Sequence, residues 1–305
     1  MDLVDADGDA GAVVLAVLRA TGERLDELQP AAVADEPDAV HRLRTTVRRL
    51  RSVLAAYGPL FDVSKADEVS RRYRELGRRL GTVRDLEVRL LVAEEALQLA
   101  AASADFDPAE LGRVAAGIVA ETAAAHHLAH QGFVEHQRRP EADRRRATLD
   151  ELLSAAPSTR LAGAAARPVL GAFLAHEARR AVARASEADA ASTPAQLHGV
   201  RRACRRLRYA AEALGDGPGE TLGAPALRLA AAGQGIQDLL GAHRDQMLFA
   251  EYLRSSATAS VEPGGEPRAL EQLAEAAEER AAERIADLSD AVRELRRAER
   301  DWLSL

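Results

Sequence analysis

Five arginines and a histidine fall within eleven residues at His41, Arg42, Arg44, Arg48, Arg49 and Arg51, with no acid among them. Guanidinium groups are planar, permanently charged and rich in N–H donors, so a row of them suits the oxygens of phosphate. The same frame returns 157 positions later as His198, Arg201, Arg202, Arg205, Arg206 and Arg208, and Pro37 and Pro194 each stand four residues ahead of the histidine. Crowded like charges oppose folding through self-repulsion. Two matching crowds in a chain of formal net charge -7 therefore ask for an anionic partner.

On a helix, about 3.6 residues per turn put His41, Arg44, Arg48 and Arg51 on one face, beside the apolar row Val40, Leu43, Val47, Leu50 and Leu54. His198, Arg201, Arg205 and Arg208 repeat the arrangement beside Leu197, Val200, Cys204, Leu207 and Ala211. Arg49 and Arg206 point away from that face. The cheap neutralisation of such arginines is an acid four residues on in the same helix, and both stripes are read as lacking it. Two readings stay open: a groove in which neighbouring helices or a ligand complete the arginines, or a solvated basic face paired with acids from other helices.

A second signal recurs in step with the first. Gly81, Arg84 and Asp85 match Gly241, Arg244 and Asp245 at an offset of 160. Asp85 and Asp245 are expected to buttress arginines by salt bridges, and Arg84 and Arg244 to join either that buttress or the anion site. Gly77 and Gly81, four apart on one helical face, are read as a place where a neighbouring helix comes close. His126 and His130 also share a helical face, but without an acidic or cysteine ligand beside them packing is the favoured role and no metal is assigned. Cys204, the single cysteine, reads as a buried structural thiol and excludes a disulfide framework.

The elements that must position these groups are helices. Abundant Ala, Leu, Arg and Glu with 3% aromatics favour an all-α chain. Apolar periodicity predicts helices over about 10–28, 37–61, 66–103, 108–138, 161–188, 194–214, 225–254 and 268–303, with an amphipathic piece at 141–158 and a flexible connection at 255–267. The repeated motifs in the same order indicate an internal duplication, giving two related four-helix bundles, 1–157 and 158–305.

The acidic first residues carry no basic n-region, and no apolar run reaches the roughly 18 residues of a membrane span, so neither signal peptide nor membrane is expected and the protein is read as cytoplasmic. Lys65 is the only lysine and lies in Val-Ser-Lys-Ala-Asp, which rules out a phosphate-loop lysine. Nucleic acid would share the electrostatics, but aromatic stacking platforms are missing from both stripes.

His-x-x-Arg-x-x-x-Arg-Arg-Leu-Arg, present twice and followed each time by Gly-x-x-Arg-Asp, resembles the CHAD family, the conserved histidine α-helical domain. The resemblance runs over about residues 10–300. It implies two four-helix bundles related by a pseudo-twofold axis and a basic pore or groove that binds inorganic polyphosphate, with no catalytic residue and no cofactor. Carried over, His41, Arg44, Arg48, Arg49 and Arg51 with His198, Arg201, Arg205, Arg206 and Arg208 line that surface. Arg19, Arg24, His176, Arg179, Arg180 and Arg184 on the preceding helices are expected to add to it, and Arg84 and Arg244 to flank it. Association with polyphosphate granules follows as an expectation. Binding of nucleic acid, or a phosphate-transferring enzyme with His41 or His198 as phospho-acceptor, are the alternatives.

Overall fold

A computed structural model describes residues 8–155, 159–259 and 267–305. Among them the secondary structure is helical, apart from one isolated β-bridge between Asp9 and Ala165. The α-helices are α1 Ala10–Val33, α2 Ala39–Tyr57, α3 Val63–Ala101, α4 Pro108–Gln137, α5 Pro140–Ser154, α6 Ala166–Ser186, α7 Pro194–Gly215, α8 Gly223–Ala259, α9 Pro267–Ala286 and α10 Leu288–Leu303.

Local chemistry explains several starts. Thr193 caps α7 in a capping box, accepting from the Gln196 backbone while the Gln196 side chain reaches back to the Thr193 N–H, and Pro194 occupies the first turn. Asp62 and Asp107 cap α3 and α4 in the same spirit. Five expectations need correction. The break expected from Gln29 is absent: α1 continues through Pro30 to Val33, and the chain turns only where Asp35 and Asp38 adopt positive φ of 56° and 61°. That turn delays α2 to Ala39, so Pro37 precedes the helix. The last helix is two, because the chain bends at Asp287 and α10 folds back onto α6 and α8. With α5 helical as well, five helices, not four, stand on each side of residues 156–158, the expected boundary, which lies outside the described residues. The expected flexible connection is helical through Ala259, and residues 260–266 are likewise outside.

Packing follows one pattern twice. α2 lies between α1 and α3, with α4 on α3 and α5 against α1 and α3; α7 lies between α6 and α8, with α9 on α8 and α10 against α6 and α8. The two sets meet where α2 packs on α7. One continuous core runs through that junction, including Leu18, Leu43, Val47, Leu50, Leu174, Leu207, Ile236 and Leu295. A second core joins the far ends of α3 and α8 to α4 and α9 around Ile118, Phe249, Leu253 and Leu273. Both cores draw on both sides of the boundary. Tyr57 pins the junction, its hydroxyl donating to the Ala210 carbonyl at 3.0 Å while its ring meets Phe173 edge-on. The chain start is tied across as well, Ala10 N–H donating to Ala164 O at 2.9 Å and Ala166 N–H to Gly8 O at 3.0 Å.

Candidate anion site at the junction of two basic helices

Because the arginines border the buried faces of α2 and α7, packing those faces together brings the two rows to one place. Leu43, Val47, Leu50, Val200, Cys204 and Leu207 are buried, while Arg44, Arg48, Arg51, Arg201, Arg205 and Arg208 remain half-buried at the edge. Arg44, Arg48, Arg201 and Arg205 feel one another's charge across the junction.

The glycine of the second motif has a definite use. Arg44 lies flat on the backbone of α3 at Gly81, where an added Cβ would stand 3.6 Å from Nη2 and 3.7 Å from Nε. Arg201 lies on α8 at Gly241 in the same way and more tightly, with Nη2 3.1 Å from an added Cβ. Gly77 does let α2 come close, its Cβ position being 3.4 Å from Val47 Cγ1. The neighbouring helix thus offers a guanidinium-sized seat that any side chain would narrow.

The electrostatics are repulsive at the centre. Burial, then Arg44, draws Arg48 below the usual arginine value; burial, then Arg48 and Arg201, draws Arg205 down to about 9. Even so lowered, Arg205 is cationic at neutral pH, so deprotonation gives no relief. Among the described residues neither Arg48 nor Arg205 makes a salt bridge or hydrogen bond. The Nε atoms of Arg51 and Arg201 are buried without a hydrogen-bond partner. Carboxylates stand at the flanks: Asp85 approaches Arg44 at 3.6 Å, as expected of a buttress. Among the described residues Asp245 makes no such ion pair, but burial raises its carboxyl and the nearby Arg201 and Arg244 oppose that rise. His41 and His198 face the same charge. Burial, then Arg84, depresses the His41 imidazole, and burial, then Arg205, depresses that of His198.

Other candidate residues are committed elsewhere. Arg208 does have an acid at i+4: Glu212 accepts from its Nε at 2.6 Å, so the expected absence of such pairing fails there. Although burial opposes it, the hydrogen bond to Glu212 holds Arg208 above the ordinary arginine value. Arg206 turns to α6, where the buried Glu177 accepts from its Nε at 2.5 Å and also approaches Arg180 at 3.6 Å. Arg84 pairs with Glu87 at 2.7 Å. Arg19 donates to the Leu153 carbonyl at 3.0 Å, and Arg24 pairs with Glu27 on the surface. His176 borders a separate cleft with Phe173 and Arg206, and Arg179 and Arg184 are exposed on α6. No hydrogen bond or ion pair among the described residues ties Arg49 to the cluster. The partners of Arg19, Arg24, Arg180 and Arg206 therefore all lie outside the row.

Tyr209, which directly follows the second stripe, is a participant that sequence reasoning missed. It is buried beside Arg48 and Arg205, and Arg208 lies over its ring with Cζ 5.3 Å from the centroid. Its signal was visible only as an aromatic one residue beyond the stripe. His130 Nε2 lies 2.9 Å from the Ala32 carbonyl and 3.6 Å from Asp35, and His126 stands 3.9 Å from Asp35 and 3.8 Å from Glu87, so acids do lie beside this pair, contrary to the expectation that none would. Cys204 is fully buried, and burial raises its thiol to about 12, as a structural role requires.

A family model described as CHAD domain matches residues 16–254. Two uncharacterized proteins of Mycobacterium tuberculosis strains are 28% identical over 254 residues, which is 81% of this chain and 47% of each relative. The chain thus spans about half the length of the curated relatives it matches. Among solved structures, the CHAD domain from the plant Ricinus communis superposes with a TM-score of 0.71 at 24% identity, covering 97% of this chain and 94% of that one. PptA from Streptomyces chartreusis gives 0.63 at 20% identity, covering 98% and 100%. At these identities the structural matches establish the fold alone.

Proposed function

The chain belongs to the CHAD domain family, and from that premise we propose that it binds inorganic polyphosphate, without turning it over, along the arginine row between α2 and α7. One observation carries the reading. Arg44, Arg48, Arg201 and Arg205 come from two different helices, repel one another across a shared junction, and include two members with no salt bridge. A protein gains nothing in stability from such a cluster. A linear anion with a charge on every phosphate neutralises several of the four at once and fills their N–H donors with charge-assisted hydrogen bonds. We further propose that the repeated packing of α1–α5 and α6–α10 descends from a duplication. The matched Gly81–Arg44 and Gly241–Arg201 seats support that view, and the site then takes half its arginines from each copy. A polymer-gripping row also suits residence on polyphosphate granules.

The test is titration of long-chain polyphosphate into the protein and its Arg44→Glu/Arg201→Glu variant at matched salt, with single-stranded RNA as competitor. The double reversal is expected to lower affinity by at least a hundredfold, and RNA at equal phosphate concentration to displace little polymer. Retained affinity in the variant would overturn the site, and equal competition by RNA would overturn the choice of polymer. Release of phosphate from the polymer by the purified protein would overturn the non-catalytic assignment.

A further inference from the structure

The two copies of the Gly-x-x-Arg-Asp motif face different surroundings. On α3, Arg84 is neutralised by Glu87 at 2.7 Å, and His126 of α4 stands with its Nε2 3.8 Å from the same carboxylate. On α8, the residue three beyond Arg244 is Met247, and Arg244 opens instead onto a cleft of about 730 Å3. That volume lies within the range of small-molecule sites, roughly 300–1,000 Å3, which are typically apolar with a few placed polar groups.

The cleft has two chemically distinct ends. Its inner end holds Arg201 and Arg244, with His198 beside them, and so continues the arginine row. Arg201 brings a buried Nε that lacks a hydrogen-bond partner. Its wall is Leu240, Met247 and Leu248, of which Met247 and Leu248 keep 40% and 38% of their surface exposed. The outer rim is polar: Glu251 stands there with the Arg254 and Glu278 ion pair that bridges α8 and α9. A purely inorganic anion would use only the inner end and leave the apolar wall wet. A hydrocarbon-tailed phosphate would use the wall but strand the rim carboxylates against hydrocarbon. A phosphate tail on a flat, heteroatom-edged body satisfies all three zones, and Glu251 can accept from an exocyclic amine or a sugar hydroxyl.

We propose that this cleft is a second ligand site that takes a nucleoside polyphosphate, its phosphates on Arg201 and Arg244 and its nucleoside against Met247 and Leu248. The inference rests on the reading of the arginine row as a phosphate site and extends it to a small molecule that shares Arg201 with the polymer. Nucleotide and polyphosphate would then compete.

Isothermal titration of ATP and of inorganic tripolyphosphate, both metal-free and at matched ionic strength, tests it. ATP is expected to bind at least tenfold tighter than tripolyphosphate. Met247→Trp, which fills the cleft without touching a charge, should bring ATP down to the tripolyphosphate level while tripolyphosphate stays within twofold, and that unchanged value doubles as the folding control. Met247→Ala, which only thins the wall, should weaken ATP several-fold. Tripolyphosphate binding as tightly as ATP, or ATP binding indifferent to Met247→Trp, would overturn the site. Long-chain polyphosphate is titrated alongside. If the polymer binds and ATP shows no advantage, the nucleotide site alone falls; if ATP behaves as expected and the polymer does not bind, the polyphosphate reading alone falls.

Discussion

Truncating one member of a buried ion pair strands the other, which is why such changes destabilise. Among the described residues Arg205 has no hydrogen-bond or ion-pair partner to strand, and its neighbours Arg48 and Arg201 repel it. Arg205→Met keeps the aliphatic packing and removes the repulsion, so we expect a gain on the order of 1 kcal/mol, within what replacing buried charge by apolar groups delivers, and a melting temperature roughly 1–2 °C higher for a chain of this size. Polyphosphate affinity should fall about tenfold in the same variant. A lower melting temperature by calorimetry would mean that Arg205 is satisfied in the free protein. The histidines give a pH dependence with a definite sign. His41 and His198 sit below the ordinary 6.5 in the folded protein, so at pH above 6.5 they contribute nothing, and below it the unfolded chain takes up protons more readily and folding weakens. A bound polyanion favours the imidazolium, so binding should take up protons and tighten as pH falls from 6.5. Proton uptake measured by titration in two buffers of different ionisation heat should shrink in the His41→Gln/His198→Gln variant. The row itself was legible because one helical period fixes which arginines share a face; the loss of Arg206 to Glu177 was not, since the partner lies 29 residues away on another helix.

At the scale of the element, the motif glycines separate two effects of adding a methyl group. At Gly81 a Cβ meets Arg44 at 3.6 Å, ordinary contact, whereas at Gly241 it meets Arg201 Nη2 at 3.1 Å and that group must move. Both positions are helix interior, where Ala is favoured over Gly by about 1 kcal/mol. Gly81→Ala is therefore expected to raise stability by up to about 1 kcal/mol with little change in polyphosphate affinity. Gly241→Ala should lower affinity several-fold by lifting Arg201 off its seat, and denaturant melts with polymer titrations on both variants would reveal it. Helices α3, α4 and α7 were readable to within a few residues, α3 from its apolar period and α4 and α7 because Pro108 and Pro194 stand in their first turns, the latter behind the cap Thr193. The end of α1 was not, because Pro30 sits within it although proline usually signals a break. Nor was the bend at Asp287, where no glycine or proline marks the chain and the fold of α10 onto α6 and α8 decides.

The recurrence of the motifs was visible in the sequence, but the sharing of one core was not, since periodicity identifies a buried face without saying what covers it. The structure answers that α2 covers α7, with Tyr57 bonded to Ala210 across the junction. A half ending at residue 155 would uncover Tyr57, which bonds across that junction, together with Arg48 beside it, and would have apolar surface without its cover. Separately expressed, the two halves should aggregate or remain molten. Expressed together, they should assemble into a species with the circular dichroism of the intact chain. That assembly carries the repulsion of four arginines from two pieces, so its stability should depend on the anion more steeply than that of the intact protein. A ligand that binds only the folded form adds about 2.7 kcal/mol at one hundred times its Kd. Long-chain polyphosphate at that excess should raise the melting temperature of both forms. In an Arg205→Met background the ligand-free value should start higher and the rise be smaller, because part of the repulsion that the anion relieves has already gone. An equal rise with and without Arg205 would show that polyphosphate binds away from the junction of α2 and α7, and the arginine row would lose its role.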